Sequence, residues 1–265
     1  MRIMIRQLML DIKYSLTTIS TLIAVVLSFI SFMMTALAEE GGGDLLSLYK
    51  ISITFGIFSA AAPFIAVVPC IKDIAMHRGE IMKYHLCRTS IRHYISEKAV
   101  VFSITGGIAL MSGPAIGLLV LGVKYPIAGE SYLNLYSLSF EPEYNVSFSY
   151  LLVNNKFIAF LTAKLFMVFL FGFNSCMIAF TAGTCTKEPL AITFSPFIVM
   201  EMIKVFFVND TYLLNPYAYL NGDISHLPFD NTYGFMGFII AIHMAITLIC
   251  LIISNIVTSW RLRNV

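Results

Sequence analysis

Residues 72–98 read KDIAMHRGEIMKYHLCRTSIRHYISEK, and this stretch decides how the chain is organised. Asp73, Arg78, Glu80, Lys83, Arg88, Arg92, Glu97 and Lys98 alternate in it with Ile74, Met76, Ile81, Met82, Leu86, Ile91, Tyr94 and Ile95. Such a mixture suits helices lying on a surface rather than a flexible linker. On either side lie the apolar runs 51–71 and 99–121, each close to the roughly 20 residues that cross a bilayer as a helix. The polar segment therefore reads as an insert between two membrane spans.

Composition supports the same solvent. With 58% hydrophobic and 12% charged residues, the chain carries more apolar surface than one soluble core of 265 residues could bury, so lipid must face much of it. Four further runs of span length follow at 19–37, 157–182, 190–208 and 235–257. The expected fold is an all-α integral membrane protein: one transmembrane domain over 1–265, with six spans and the insert between spans two and three. The five cysteines, Cys70, Cys87, Cys176, Cys185 and Cys250, are scattered without CxxC spacing and read as small buried hydrophobes rather than metal ligands or disulfides.

Residues 1–14 place Met1, Met4, Ile5, Leu8 and Ile12 on one helical stripe, with Arg2, Arg6 and Lys13 off it. That pattern predicts an amphipathic helix in the interface plane, its bases toward anionic headgroups. Ala36-Leu37-Ala38 before Glu39 looks like a signal-peptidase site, but the apolar run before it is long for a signal peptide and about right for a span.

Six spans put both termini on one side. That side carries Arg2, Arg6, Lys13, the bases of 72–98, Lys187, Arg261 and Arg263, whereas the other carries most of the acids, so the termini are expected in the cytoplasm. Trp260 beside Arg261 suits an interfacial anchor. The segment 123–156 becomes an external loop. Residues 209–233 contain Leu214-Asn215-Pro216-Tyr217-Ala218-Tyr219-Leu220, too apolar for free solvent and too short to cross, which predicts a re-entrant or external helical segment. Within the spans, Pro63, Pro69, Gly106, Gly107, Gly113, Pro114 and Pro196 predict kinks or close helix contacts.

Catalytic signatures are missing. There is no GxxxxGK[ST] phosphate loop, HExxH or GxSxG, so the chain is expected not to be an enzyme by itself. His77, His85 and His93 drift around a helix and cannot hold one metal on one face. The sharper features are Lys164, Glu201 and Lys204 inside the spans, where an unpaired charge costs about 2.5 to 3.5 kcal/mol on insertion. With Asn174 they read either as a translocation path or gate, or as a Glu201–Lys204 ion pair beside a snorkelling Lys164. Asn174 and His243 also suit hydrogen bonds between helices.

At this point the whole chain resembles the permease subunit of a type-2 ABC exporter. In the insert, Asp73, Arg78, Gly79 and Glu80, then Leu86, Thr89-Ser90-Ile91-Arg92 and Lys98, match that family's spacing, with Thr89 where Pro is usual and Glu80 where a small residue is. Leu214-Asn215-Pro216-Tyr217 is similar to the segment leading into its short external helices. The resemblance implies a separate ABC ATPase subunit that binds ATP and Mg, a second permease copy in a 2+2 homodimeric assembly, and a bacterial inner membrane, with lipid around the spans and no nucleic acid. It assigns Asp73, Arg78, Glu80, Arg88, Arg92 and Lys98 to contact with the ATPase. Few charges and abundant Phe and Met in the spans suit a hydrophobic or amphipathic cargo, an antimicrobial or toxin peptide among the candidates. Two other classes remain open: a six-helix channel or scaffold uncoupled from ATP, and an intramembrane enzyme.

Overall fold

The computed structural model describes residues 2–38, 43–54, 56–76, 90–136, 148–206, 217, 220 and 232–263. Among these, every regular element is a helix: α1 (Arg2–Leu16), α2 (Ile19–Ala38), α3 (Leu45–Thr54), α4 (Ile57–Val67), α5 (Ile71–Met76), α6 (Ile91–Leu121), α7 (Glu130–Leu135), α8 (Ser149–Val153), α9 (Phe157–Cys185), α10 (Pro189–Phe206) and α11 (Thr232–Arg263). Five stretches, in α2, α6, α9, α10 and α11, are long and apolar enough to cross a membrane, and α3 with α4 would make a sixth broken span. The glycine-rich and proline-rich runs thus form helices, because in an apolar solvent a backbone amide has no partner other than its own helix.

Helices α3 and α4 meet at a bend of 71°. The break falls at Gly56, which adopts φ −85° and ψ 170°, and not at Pro63, which lies inside α4. Gly56 is pressed against Thr35 of α2 and the Ser52 carbonyl, where a Cβ would collide. Pro69 does mark an end, lying in the turn that separates α4 from α5. The carbonyl of Ala66, left by that turn, accepts from the Cys176 thiol of α9 at 2.9 Å.

Two other prolines sit in continuous helices, and the reason is visible in each case. A proline at position i has no N–H for the carbonyl at i−4. Pro114 lies within the 31 residues of α6 and frees the Leu110 carbonyl, which accepts from Ser28 Oγ of α2 at 2.7 Å. Pro196 of α10 frees the Ile192 carbonyl, which accepts from Ser195 Oγ at 2.8 Å. Neighbouring hydroxyls thus satisfy what the prolines leave open.

Helix α9 is central, packing on α4, α6, α10 and α11. Its closest approach is to α6, where a Cβ on Gly172 would lie 3.0 Å from the Gly106 carbonyl oxygen and the Gly107 Cα. Small residues let these backbones touch, so dispersion replaces the hydrophobic drive that lipid removes. Beyond the opposite end of α2, Asp44 is fully buried: Oδ1 accepts from Ser47 N at 2.8 Å and from its hydroxyl, and Oδ2 accepts from Tyr132 N at 2.8 Å. Lys50 Nζ donates to the Leu135 carbonyl and lies 4.5 Å above the Tyr136 ring. The part of 123–156 that is described packs on α3 as helix and turn.

Candidate functional site

The polar insert is described at its two ends. Ser90 opens α6 as N-cap, with φ −68° and ψ 144°, its hydroxyl accepting from His93 N at 3.4 Å. Position Ser90 in the Thr-Ser-Ile-Arg tetrad is thus the start of a helix. Arg92 is exposed one residue into that helix. Two turns later, Lys98 Nζ donates to Asp11 Oδ2 of α1 at 2.5 Å. On the other end, Asp73 lies half-buried in α5; burial pushes its carboxyl above the ordinary value, against the opposing pull of Lys72 and Lys98. Arg78, Glu80 and Arg88 fall in 77–89, outside the described residues.

Beneath these charges, Ile74, Tyr94, Ile95 and Ala99 form a buried cluster with Cys70, Val101 and Phe102, and Leu8 and Ile12 of α1 pack against it. The expected apolar stripe of α1 is therefore directed at the protein over its last turns, while Met9, Leu10 and Tyr14 are exposed. Thr105 Oγ1 donates to Ser15 Oγ at 3.1 Å and fixes the end of α1 on α6. Asp11 escaped the sequence reading, although it is the sole acid of the first 38 residues and stands among Arg2, Arg6 and Lys13. His93 Nε2 lies 3.8 Å from Glu97 Oε2, an ion pair only when the ring is protonated.

The intramembrane polar residues divide between two places. Lys164 is 1% exposed, its Nζ 5.1 Å from the Phe160 ring centre and 5.9 Å from that of Phe148. It does not snorkel; the ammonium is held against aromatic faces inside a cluster that also contains Phe235. Lys204 Nζ instead lies 3.4 Å from Glu201 Oε2 near the end of α10, on the same face three residues apart, and 5.3 Å above the Tyr217 ring. Tyr217 packs on Phe171 of α9, with ring centres 5.6 Å apart. Burial first, and the neighbouring Glu201 carboxylate second, push the Tyr217 hydroxyl pKa up. Tyr217 thus joins Glu201 and Lys204, a grouping that spacing alone does not show.

Asn174 and His243 meet around a third feature. They line a cavity of about 280 Å³ whose other walls, apart from Thr181, are apolar or thiol side chains of α9, α10 and α11. His243 Nδ1 contacts the Ile239 carbonyl of its own helix at 2.9 Å, and Asn174 Oδ1 is buried with no hydrogen-bond partner.

The chain matches no protein-family model, no curated protein and no solved structure. Its own geometry must carry the reading. Among the described residues, no three His, Cys, Asp or Glu side chains gather as a metal site. What the arrangement offers is an insert whose two described ends are tied to the bundle through α1, α5 and the start of α6, and a few polar groups set among apolar helices.

Proposed function

We propose that this chain is the membrane-spanning subunit of an ATP-driven exporter of the type-2 ABC kind. In this reading ATP and Mg are bound and hydrolysed by a separate ATPase subunit, two copies of the chain pair in a 2+2 assembly, and both termini lie in the cytoplasm of a bacterial inner membrane. The cargo is hydrophobic or amphipathic, a peptide being the best fit to spans rich in Phe and Met and poor in charge.

One observation carries the proposal. The segment that would meet the ATPase re-enters the bundle through Lys98, and Asp11 of α1 grips that lysine at 2.5 Å above the cluster of Ile74, Tyr94 and Ile95. A push on the segment would then reach α6 as a rigid body, and α6 packs along both α2 and α9. Docking would draw on the charges for register and on the apolar residues for buried area. Lys164, Asn174, Glu201 and Lys204 would lie along the moving helices, the Glu201–Lys204–Tyr217 group serving as a gate.

The test is co-purification with an ABC ATPase followed by its hydrolysis rate. Reversing Glu80 and Arg92 together is expected to abolish capture of the ATPase. Asp11→Asn, which loosens the grip on Lys98 from outside the docking segment, is expected to leave capture intact and to uncouple transport from hydrolysis. Transport by the purified chain without any nucleotide-binding partner would overturn the reading.

A further inference from the structure

The cavity between α9, α10 and α11 has an unusual chemistry. Helices α10 and α11 each pack on α9 but scarcely on one another, so a cleft runs between them with α9 as its floor. Phe171, Met200, Ile203 and Ile246 supply apolar walls; Asn174, His243 and Thr181 are its polar lining, and the Thr181 hydroxyl is already engaged with the Met177 carbonyl at 2.9 Å. Asn174 is 4% exposed and stands at about the centre of α9, at a depth where lipid offers no hydrogen-bond donor. A buried amide oxygen left without a partner is costly, and native structures keep few of them.

We infer that the cleft is a binding site for a small amphiphile, an alkyl or aryl body carrying one hydroxyl or N–H that donates to Asn174 Oδ1. A volume of about 280 Å³ stands at the small end of ligand pockets, which run from about 300 to 1,000 Å³. Ordinary phospholipid tails fill such a space but bring no donor to that depth, so the orphaned oxygen selects against them. Exposed Ile249 and Ile253 edge the cleft toward the lipid, which makes lateral entry from the bilayer the open route. The inference rests on α9, α10 and α11 spanning a membrane and is independent of the exporter reading.

The experiment uses the full chain in phosphatidylcholine vesicles with a diazirine-bearing octanol as photolabel. Adducts are expected on Met200, Ile203 or Ile246, displaced by octanol, and reduced about three- to tenfold by Asn174→Leu, the loss of one buried hydrogen bond. Ile246→Trp fills the cleft without altering the amide and is expected to abolish labelling. Three results would overturn the inference. One is equal labelling by a diazirine-bearing octane, which has no donor. Another is adducts spread evenly over lipid-facing residues. The last is cross-linking of Ile203→Cys between two copies, which would mean that a second copy covers the cleft. Failure of the ATPase to bind would leave this result unaffected.

Discussion

Ser28 Oγ donates to the Leu110 carbonyl at 2.7 Å, taking the place of the amide that Pro114 cannot supply. A hydroxyl on α2 thereby preserves α6 across its proline and joins the two helices at the same point. Ser28→Ala is expected to cost about 1–2 kcal/mol, since the freed carbonyl is buried and has no helical amide to return to. Ser112→Ala removes a similar hydroxyl bond to the Ile108 carbonyl, 2.7 Å away, but that carbonyl belongs to an intact helical turn. Its effect should be a few tenths of a kcal/mol. Reversible unfolding in detergent micelles compares the two.

Close packing of small residues makes a second prediction. A Cβ on Gly113 would meet Ser28 and lie 2.5 Å from the Phe29 nitrogen, which is backbone and cannot rotate away. Gly113→Ala should therefore destabilise by about 1–3 kcal/mol through forced separation of α2 and α6. Gly237 has nothing within 4 Å of its would-be Cβ. Gly237→Ala should gain about 0.5–1 kcal/mol from helix propensity. Opposite shifts in melting temperature for these two substitutions are the expected result.

Asp44 gathers donors from two elements, the α3 amino terminus and Tyr132 of α7. Asp44→Ala removes the cap and leaves two backbone amides without an acceptor, at a cost of about 2–3 kcal/mol. Asp44→Asn retains acceptor capacity and should cost less. Limited proteolysis within 123–156 should quicken in the alanine variant first.

Asp73 gives a pH dependence of definite sign. Burial raises its carboxyl above the ordinary 3.8, so the folded chain holds the proton more tightly than the unfolded one. The stability this group contributes is full below 3.8 and is lost as pH rises through the folded value. Asp73→Asn should accordingly be more stable than the native chain at pH 7, with the difference vanishing toward pH 3.8 and below. Melting temperatures across that range test it; a difference that grows on acidification would mean that the lysines, not burial, dominate at this carboxylate.

Much of the architecture was legible in the chain itself. Runs of about 20 apolar residues announce helices long enough to cross a bilayer, and five such helices are present among the described residues. Helix ends were less legible. Pro63 and Pro69 predict kinks or close contacts in the second candidate span; the bend falls instead at Gly56, where Thr35 of α2 approaches, while Pro63 lies inside α4. Spacing leaves Lys164 open between a path-lining and a snorkelling cation, and it does not bring to it Phe148 and Phe160, whose rings lie beside its ammonium.

Sequence by itself determined the membrane-like apolar character and the helical class, since these follow from local composition and the need of every buried amide for a partner. Tertiary structure alone decided which breaks are real. Whether a proline interrupts a helix depends on a donor arriving from elsewhere, as Ser28 does at Leu110, and the grip of Asp11 on Lys98 depends likewise on two distant segments folding side by side.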